Sequence, residues 1–268
     1  MAIKGEWINF GDHKGYFAIP EKAETPISCI IVIQEAWGVN EHIEDVTRRF
    51  AAAGYAALAP DLYAVGGTRP AALSEQRIEK AIQFMRKIPS AVWVDTAARA
   101  AEIAKLPETE GKEISETFGH LFQGPGKSLE YIPLLKNAVH HLRTVQPETR
   151  EQKVGCVGFC MGGGLSALLA CEEPEISCAA VFYGNTPPAD KISSIRCPVI
   201  AFYGANDQRA NTGIPVFEEA MSRAGKSYEH HIYEGAYHSF FNDDGQAYNV
   251  RAVRDSFARL LTFFSKTL

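Results

Sequence analysis

A chain of 268 residues with 46% apolar content can bury one large core, and α/β folds of this length are commonly one domain. Lys and Arg number 27 against 32 Asp and Glu, a net charge of −5 with no basic run, which argues against nucleic acid or an anionic membrane surface as partner. The opening Met1-Ala2-Ile3-Lys4-Gly5-Glu6 lacks the apolar core of a secretion signal, and no run of about 18 apolar residues could span a bilayer, so a cytoplasmic location is expected.

Strand and helix patterns alternate along the chain, with no internal repeat or low-complexity tract. Residues 7–10 and 16–19 suggest an opening hairpin. A buried strand at 30–34 precedes Asn40, a good cap for a helix over 41–53 that Gly54 stops. Residues 55–59 read as the next strand, 74–88 as an amphipathic helix, 91–105 as another and 129–145 as a third. After an elbow-like segment near residue 160, strands are expected at 178–183, 198–203 and 227–233, and helices at 214–223 and 248–264. This alternation predicts a mostly parallel sheet with helices on both faces.

The most informative segment is Gly158-Phe159-Cys160-Met161-Gly162-Gly163. It follows the short apolar run 153–157 and precedes the small, apolar run 164–170. Strand, Gly-x-nucleophile-x-Gly and helix together make a nucleophile elbow, here with Cys in place of the usual Ser. Gly158 and Gly162 supply room where a side chain would crowd the packed strand and helix. The helix that follows presents its positive end to the sulfur and favours a thiolate. A buried strand-end cysteine is the bland alternative.

The remaining members of a triad should follow in the order acid, then histidine. Asp207 stands just after the strand at 198–203, with Gly204 in the turn, and His238 lies in a Gly-x-x-His loop before the last helix. Each alone could be an ordinary loop residue. Order and context together point to Cys160 attacking an acyl carbon, His238 moving the proton and Asp207 fixing its tautomer.

Gln34-Glu35-Ala36-Trp37-Gly38-Val39-Asn40, Ala59-Pro60-Asp61-Leu62-Tyr63, the cysteine elbow, Asp207 and His238-Ser239-Phe240 together resemble the dienelactone hydrolases, or carboxymethylenebutenolidases, from about residue 28 to about residue 265. The resemblance implies an α/β-hydrolase; the chain reads as one domain over residues 1–268, with an inserted helical and loop excursion around 64–128. The resemblance also implies that Glu35 helps to activate the thiol and that the backbone N–H groups of Ala36 and Met161 form the oxyanion hole. A strand-end carboxylate facing water is the alternative for Glu35, and plain core packing is the alternative for Trp37 as a pocket wall.

Two departures bear on substrate. Family members that act on the anionic dienelactone hold its carboxylate with arginines, one of them four residues after the catalytic histidine; that position here is Asn242. Arg209, two residues after Asp207 on the same loop, is the nearest candidate to take that arginine's place, and Arg77 and Arg86, on the helix after the Asp61 loop, are others. The stretch between Asp61 and Arg150 is longer than the family's compact core needs. Its middle, from 106–112 on to 123–127, is polar and rich in Gly and Pro and reads as an inserted excursion between helices, a flap over the site or a solvated surface loop.

Six cysteines show no C-x-x-C pair, so neither a zinc site nor a redox dithiol is signalled, and all but Cys160 read as small buried hydrophobes. Neighbouring histidines at 140–141 and 230–231 point to different faces, which argues against metal ligation, and His42, which follows the Glu35 segment and could touch the site, reads rather as a first-turn helix residue. The expected protein needs no cofactor, takes a small lactone or ester, and is a monomer or small homo-oligomer. Alternatives are a general carboxylesterase or thioesterase of the same fold, or a non-catalytic module binding a small ligand in that pocket.

Overall fold

The computed structural model describes residues 2–89, 92, 95–122 and 128–268. Eight strands form one sheet: β1 (Ile3–Phe10), β2 (His13–Pro20), β3 (Cys29–Ile33), β4 (Ala56–Pro60), β5 (Val154–Phe159), β6 (Ile176–Phe182), β7 (Val199–Gly204) and β8 (Tyr228–Tyr233). Their spatial order is β1-β2-β4-β3-β5-β6-β7-β8. The opening hairpin pairs antiparallel and β2 runs antiparallel to β4, while every pair from β4 to β8 is parallel.

β3, β4, β5 and β7 are buried along their whole length, which explains their unbroken apolar sequences: helices cover both faces, so neither face selects polar residues. Side chains alternate between two cores. Ile31 and Ile33 join one, while Ile30 and Val32 join the other, beside Val46 and Phe50 of α1 (Glu41–Ala52) and Phe264 of the closing helix (Val250–Thr267). Asn40 caps α1 through Oδ1, which accepts the Ile43 N–H at 3.2 Å.

The chain runs from β3 to β4 on one side and reaches β5 on the other. The crevice above the carboxyl ends of β3 and β5 is therefore the point where the winding reverses, the usual ligand site of open parallel sheets. Glu35 leaves β3 there and Cys160 leaves β5.

The excursion differs from expectation. After α2 (Glu75–Lys87), helix α3 spans Thr96–Ile103, shorter than the 91–105 predicted; residues 90, 91, 93 and 94 lie outside the described residues. The stretch expected as a loop from residue 106 is instead mostly helix α4 (Glu108–Leu121). Ile114, Phe118 and Leu121, spaced by four and three, make a buried stripe that outweighs the two glycines of the segment. Gly111 serves the packing: a Cβ there would lie 3.1 Å from the Ile103 carbonyl oxygen. The predicted loop at 123–127 lies outside the described residues. Helix α5 (Ser128–Thr144) then leads to the elbow strand. Among the described residues, no helix is long and apolar enough to cross a membrane.

Candidate active site

The turn from β5 into α6 (Met161–Glu172) holds Cys160 at φ 54° and ψ −114°, a conformation an L-residue adopts only under strain. The flanking glycines make it possible. A Cβ on Gly158 would lie 1.8 Å from the Gly162 carbonyl oxygen, and one on Gly162 would lie 2.2 Å from the carbonyl oxygen of Ile33. Both obstacles are backbone and cannot step aside. Gly162→Ala is expected to cost at least about 3 kcal/mol or to prevent folding. Gly119→Ala, at an exposed position in α4 with open space for a Cβ, should instead stabilise by about 0.5–1 kcal/mol. Denaturant midpoints of the two variants check the contrast.

His238 Nδ1 lies 2.5 Å from Asp207 Oδ2. Asp207 is buried and also caps the short helix Gln208–Asn211, its Oδ1 accepting the Ala210 N–H at 3.3 Å. Burial works to raise the Asp207 carboxyl, but the hydrogen bond and charge of His238, helped by the Ala210 N–H and Arg209, hold it below the ordinary range. Burial likewise pushes the His238 imidazole down. The interactions with Asp207 and with the Cys160 sulfur outweigh it and lift the imidazole to about 10. Its Nε2 is buried and, among the described residues, has no hydrogen-bond partner.

Glu35 is 2% exposed and does not face water. Its Oε1 accepts from the Tyr183 hydroxyl at 3.2 Å and its Oε2 from Asn242 Nδ2 at 2.9 Å. Tyr183 itself has φ 41°, and its ring centre lies 5.1 Å from that of His238. Burial, then the charges of Glu35 and Cys160, push its phenol well up. Glu35, Cys160 and His238 thus converge around Tyr183, a residue the sequence reading missed. Its only signal was its place just after β6, level with the elbow.

The segment carrying Ala36 is anchored by residues beyond β4. Leu62 N–H donates to Gln34 Oε1 at 3.1 Å, the Tyr63 hydroxyl to the Ala36 carbonyl at 2.7 Å, and Arg69 Nη2 to the Val39 carbonyl at 2.9 Å. Arg69 is in turn paired with fully buried Asp61 at 2.7 Å. Among the described residues, no backbone hydrogen bond outside the helices and strands engages the N–H group of Ala36 or of Met161.

A cavity of about 820 Å³ adjoins this cluster and reaches it at Glu35, Trp37, Ser239 and Asn242; Cys160, Asp207 and His238 do not line it. Trp37 is both wall and packing, since it meets Phe122 edge-on at 5.8 Å. Arg86 lines the cavity and donates Nη2 to the Asp244 carbonyl at 3.1 Å. Arg77 does not line it: its Nη2 is held by the Glu113 carbonyl at 2.6 Å and by Glu116 at 2.9 Å, on the α4 side of α2. Arg209 is exposed beside Asp207 and outside the cavity wall. His42 lies in the first turn of α1, as expected, and also meets the alternative: it is buried, lines the cavity and hydrogen-bonds Asp243 through Nδ1 at 3.1 Å. Arg69 and Ser239 are cavity residues that the sequence reading did not single out. Among the described residues, no group of three or more His, Cys, Asp or Glu is placed to hold a metal ion.

A parallel sheet reversing its winding beside a strained strand-to-helix elbow is the α/β-hydrolase fold. The dienelactone hydrolase family profile matches residues 13–268, and the chain belongs to that family of lactone and ester hydrolases. A relative from Saccharolobus solfataricus, named "Putative carboxymethylenebutenolidase", is 34% identical over 254 residues, covering 94% of this chain and 93% of its own. A relative of the same name from Methylorubrum extorquens is 29% identical over 264 residues, covering 93% of this chain and 75% of its own. The fold is shared with a crystal structure described as a "Putative Dienelactone Hydrolase" from Klebsiella pneumoniae, at TM-score 0.69, 24% identity and 99% coverage of both chains.

Proposed function

We propose that the chain hydrolyses a lactone or activated ester through Cys160, His238 and Asp207. The observation that carries the reading is a cysteine held in a strained elbow beside an imidazole that a buried aspartate orients through Nδ1. The Cys160 sulfur attacks the acyl carbon while the thiol proton passes to His238 Nε2. The carbonyl oxygen, now an oxyanion, is received by the N–H groups of Ala36 and Met161. Collapse of the tetrahedral intermediate breaks the acyl–oxygen bond, and His238 returns its proton to the leaving alkoxide. Water then attacks the thioester with His238 as base, which releases the acid and regenerates the thiol. Glu35 assists by drawing the thiol toward its ionised form when substrate arrives.

The test is a panel of lactone, ester and thioester substrates run against wild type and Cys160→Ala. Lactone turnover that disappears in the variant supports the reading. Equal or better turnover of open-chain esters or thioesters would favour a general carboxylesterase or thioesterase, and turnover surviving in Cys160→Ala would remove the cysteine from the chemistry.

The same reading gives an expectation for charge. Asn242 is engaged by Glu35 and supplies no cation, and Arg77 is held by α4. Loss of one bidentate contact to a carboxylate is worth roughly tenfold to a hundredfold in discrimination. A neutral lactone is therefore expected to match or exceed the anionic dienelactone in kcat/KM, and a strong preference for the anion would place the recognition elsewhere.

A further inference from the structure

The cavity beside Glu35 has a composition of its own. Helix α2 presents Glu75, Ile78, Glu79, Ile82, Met85 and Arg86 to it, a spacing that lies on one helical face. Arg77 and Lys80 fall outside that face and are bound to Glu116 and Glu113 of α4. Trp37 and Ile88 continue the apolar wall. At about 820 Å³ the space falls within the range, about 300–1,000 Å³, of small-molecule pockets.

The charges are unbalanced. Glu35, Glu41, Glu75, Glu79 and Asp244 line the cavity, against the guanidinium groups of Arg69 and Arg86. Arg69 is neutralised by Asp61, and its side chain is 12% exposed. Glu41 is paired with Arg48, but among the described residues no ion pair engages Glu75, Glu79 or Asp244. In the same wall His42, with its side chain 1% exposed, has Nδ1 taken by Asp243 and a buried Nε2 without a partner, an unfilled hydrogen-bonding position. Carboxylates beside low-dielectric apolar walls focus a negative potential, and an aromatic face such as Trp37 adds attraction for a cation.

Resting on the hydrolase reading above, we propose that this cavity is the subsite for the substrate group remote from the scissile ester, and that it selects an apolar group bearing positive charge over an isosteric group bearing negative charge.

The experiment uses esters ending in trimethylammonium, tert-butyl or carboxylate groups on chains of equal length, with the terminus on the alcohol side in one series and on the acyl side in another. In at least one series kcat/KM should fall from cation to neutral to anion, with the ends separated by about tenfold or more at low salt. The separation should shrink several-fold at about 0.5 M salt and in the Glu75→Gln/Glu79→Gln double variant. Equal values or an anion preference in both series overturn the proposal, as does a ranking indifferent to the double substitution. Calorimetric binding of the corresponding amides to wild type and to Cys160→Ala reads the ranking without turnover. Ranked binding with no hydrolysis would sink the chemistry and keep the subsite; hydrolysis with unranked binding would sink the subsite alone.

Discussion

Cys160→Ala is expected to lower hydrolysis by about six orders of magnitude, the size of effect that loss of a triad nucleophile has elsewhere. The fold should survive. Only a sulfur is removed, and alanine inherits the same backbone at φ 54° without adding bulk against Gly158 or Gly162. Denaturant midpoints within about 1 kcal/mol of wild type would separate a chemical loss from a structural one. The wild-type cysteines should also differ in reactivity. Burial pushes the Cys29 and Cys156 thiols far up, Cys178 to about 12 and Cys197 to about 11, so these stay protonated and inert near neutral pH. Cys171 is half-buried and is the realistic competitor, yet burial raises it to about 12 as well. Cys160 alone combines partial exposure with a neighbouring imidazole, His238, and a helix start. Mass spectrometry after limited iodoacetamide treatment with substrate present should find Cys160 modified first. First modification of Cys171, or turnover retained by the alanine variant, would count decisively against the nucleophile assignment.

Much of this was legible because it is local. Gly158 and Gly162 announced the elbow through the room they leave, and the Cβ distances to backbone carbonyls give the reason. The parallel sheet was legible in β3 and β5, whose unbroken apolar runs only a doubly covered sheet tolerates. Asp207 and His238 could be named from turn and order because each follows a strand end in the sheet, and the sheet brings those ends together. What sequence did not give was direction and partnership. Arg77 and Arg86 both sit on α2, but only the face carrying Arg86 meets the cavity; the other face is set by α4, a helix hidden behind its glycines. Arg69 and Tyr63 hold the Ala36 segment across about 30 residues of chain, which no spacing rule links. Tyr183 reaches Glu35 over 148 positions. Such contacts exist only after the sheet has placed its strand ends side by side.

Glu35→Gln is expected to slow acylation by about one to three orders of magnitude while leaving the fold nearly unchanged. Glu35 is almost fully buried, its two oxygens are held by the neutral donors Tyr183 and Asn242, and among the described residues no cation pairs with it. A side chain so placed is held by two neutral donors alone and can change partner when substrate enters. The amide of the variant keeps the volume and one acceptor, and the Tyr183 hydroxyl and the Asn242 amide can each reverse roles to receive its N–H. Stability should therefore shift by no more than about 1 kcal/mol, since a buried charge is removed along with part of its hydrogen bonding. The kinetic step affected should be the attack of sulfur on substrate. Deacylation, which in the proposed mechanism runs through His238 and water, should be spared, so a pre-steady-state burst present in wild type should shrink or vanish in the variant. Asn242→Ala leaves the carboxylate in place but removes one donor, and should alter the rate less than the loss of the charge itself. A wild-type burst in Glu35→Gln would exclude the activating role and leave Cys160, His238 and Asp207 untouched, because their geometry does not pass through Glu35.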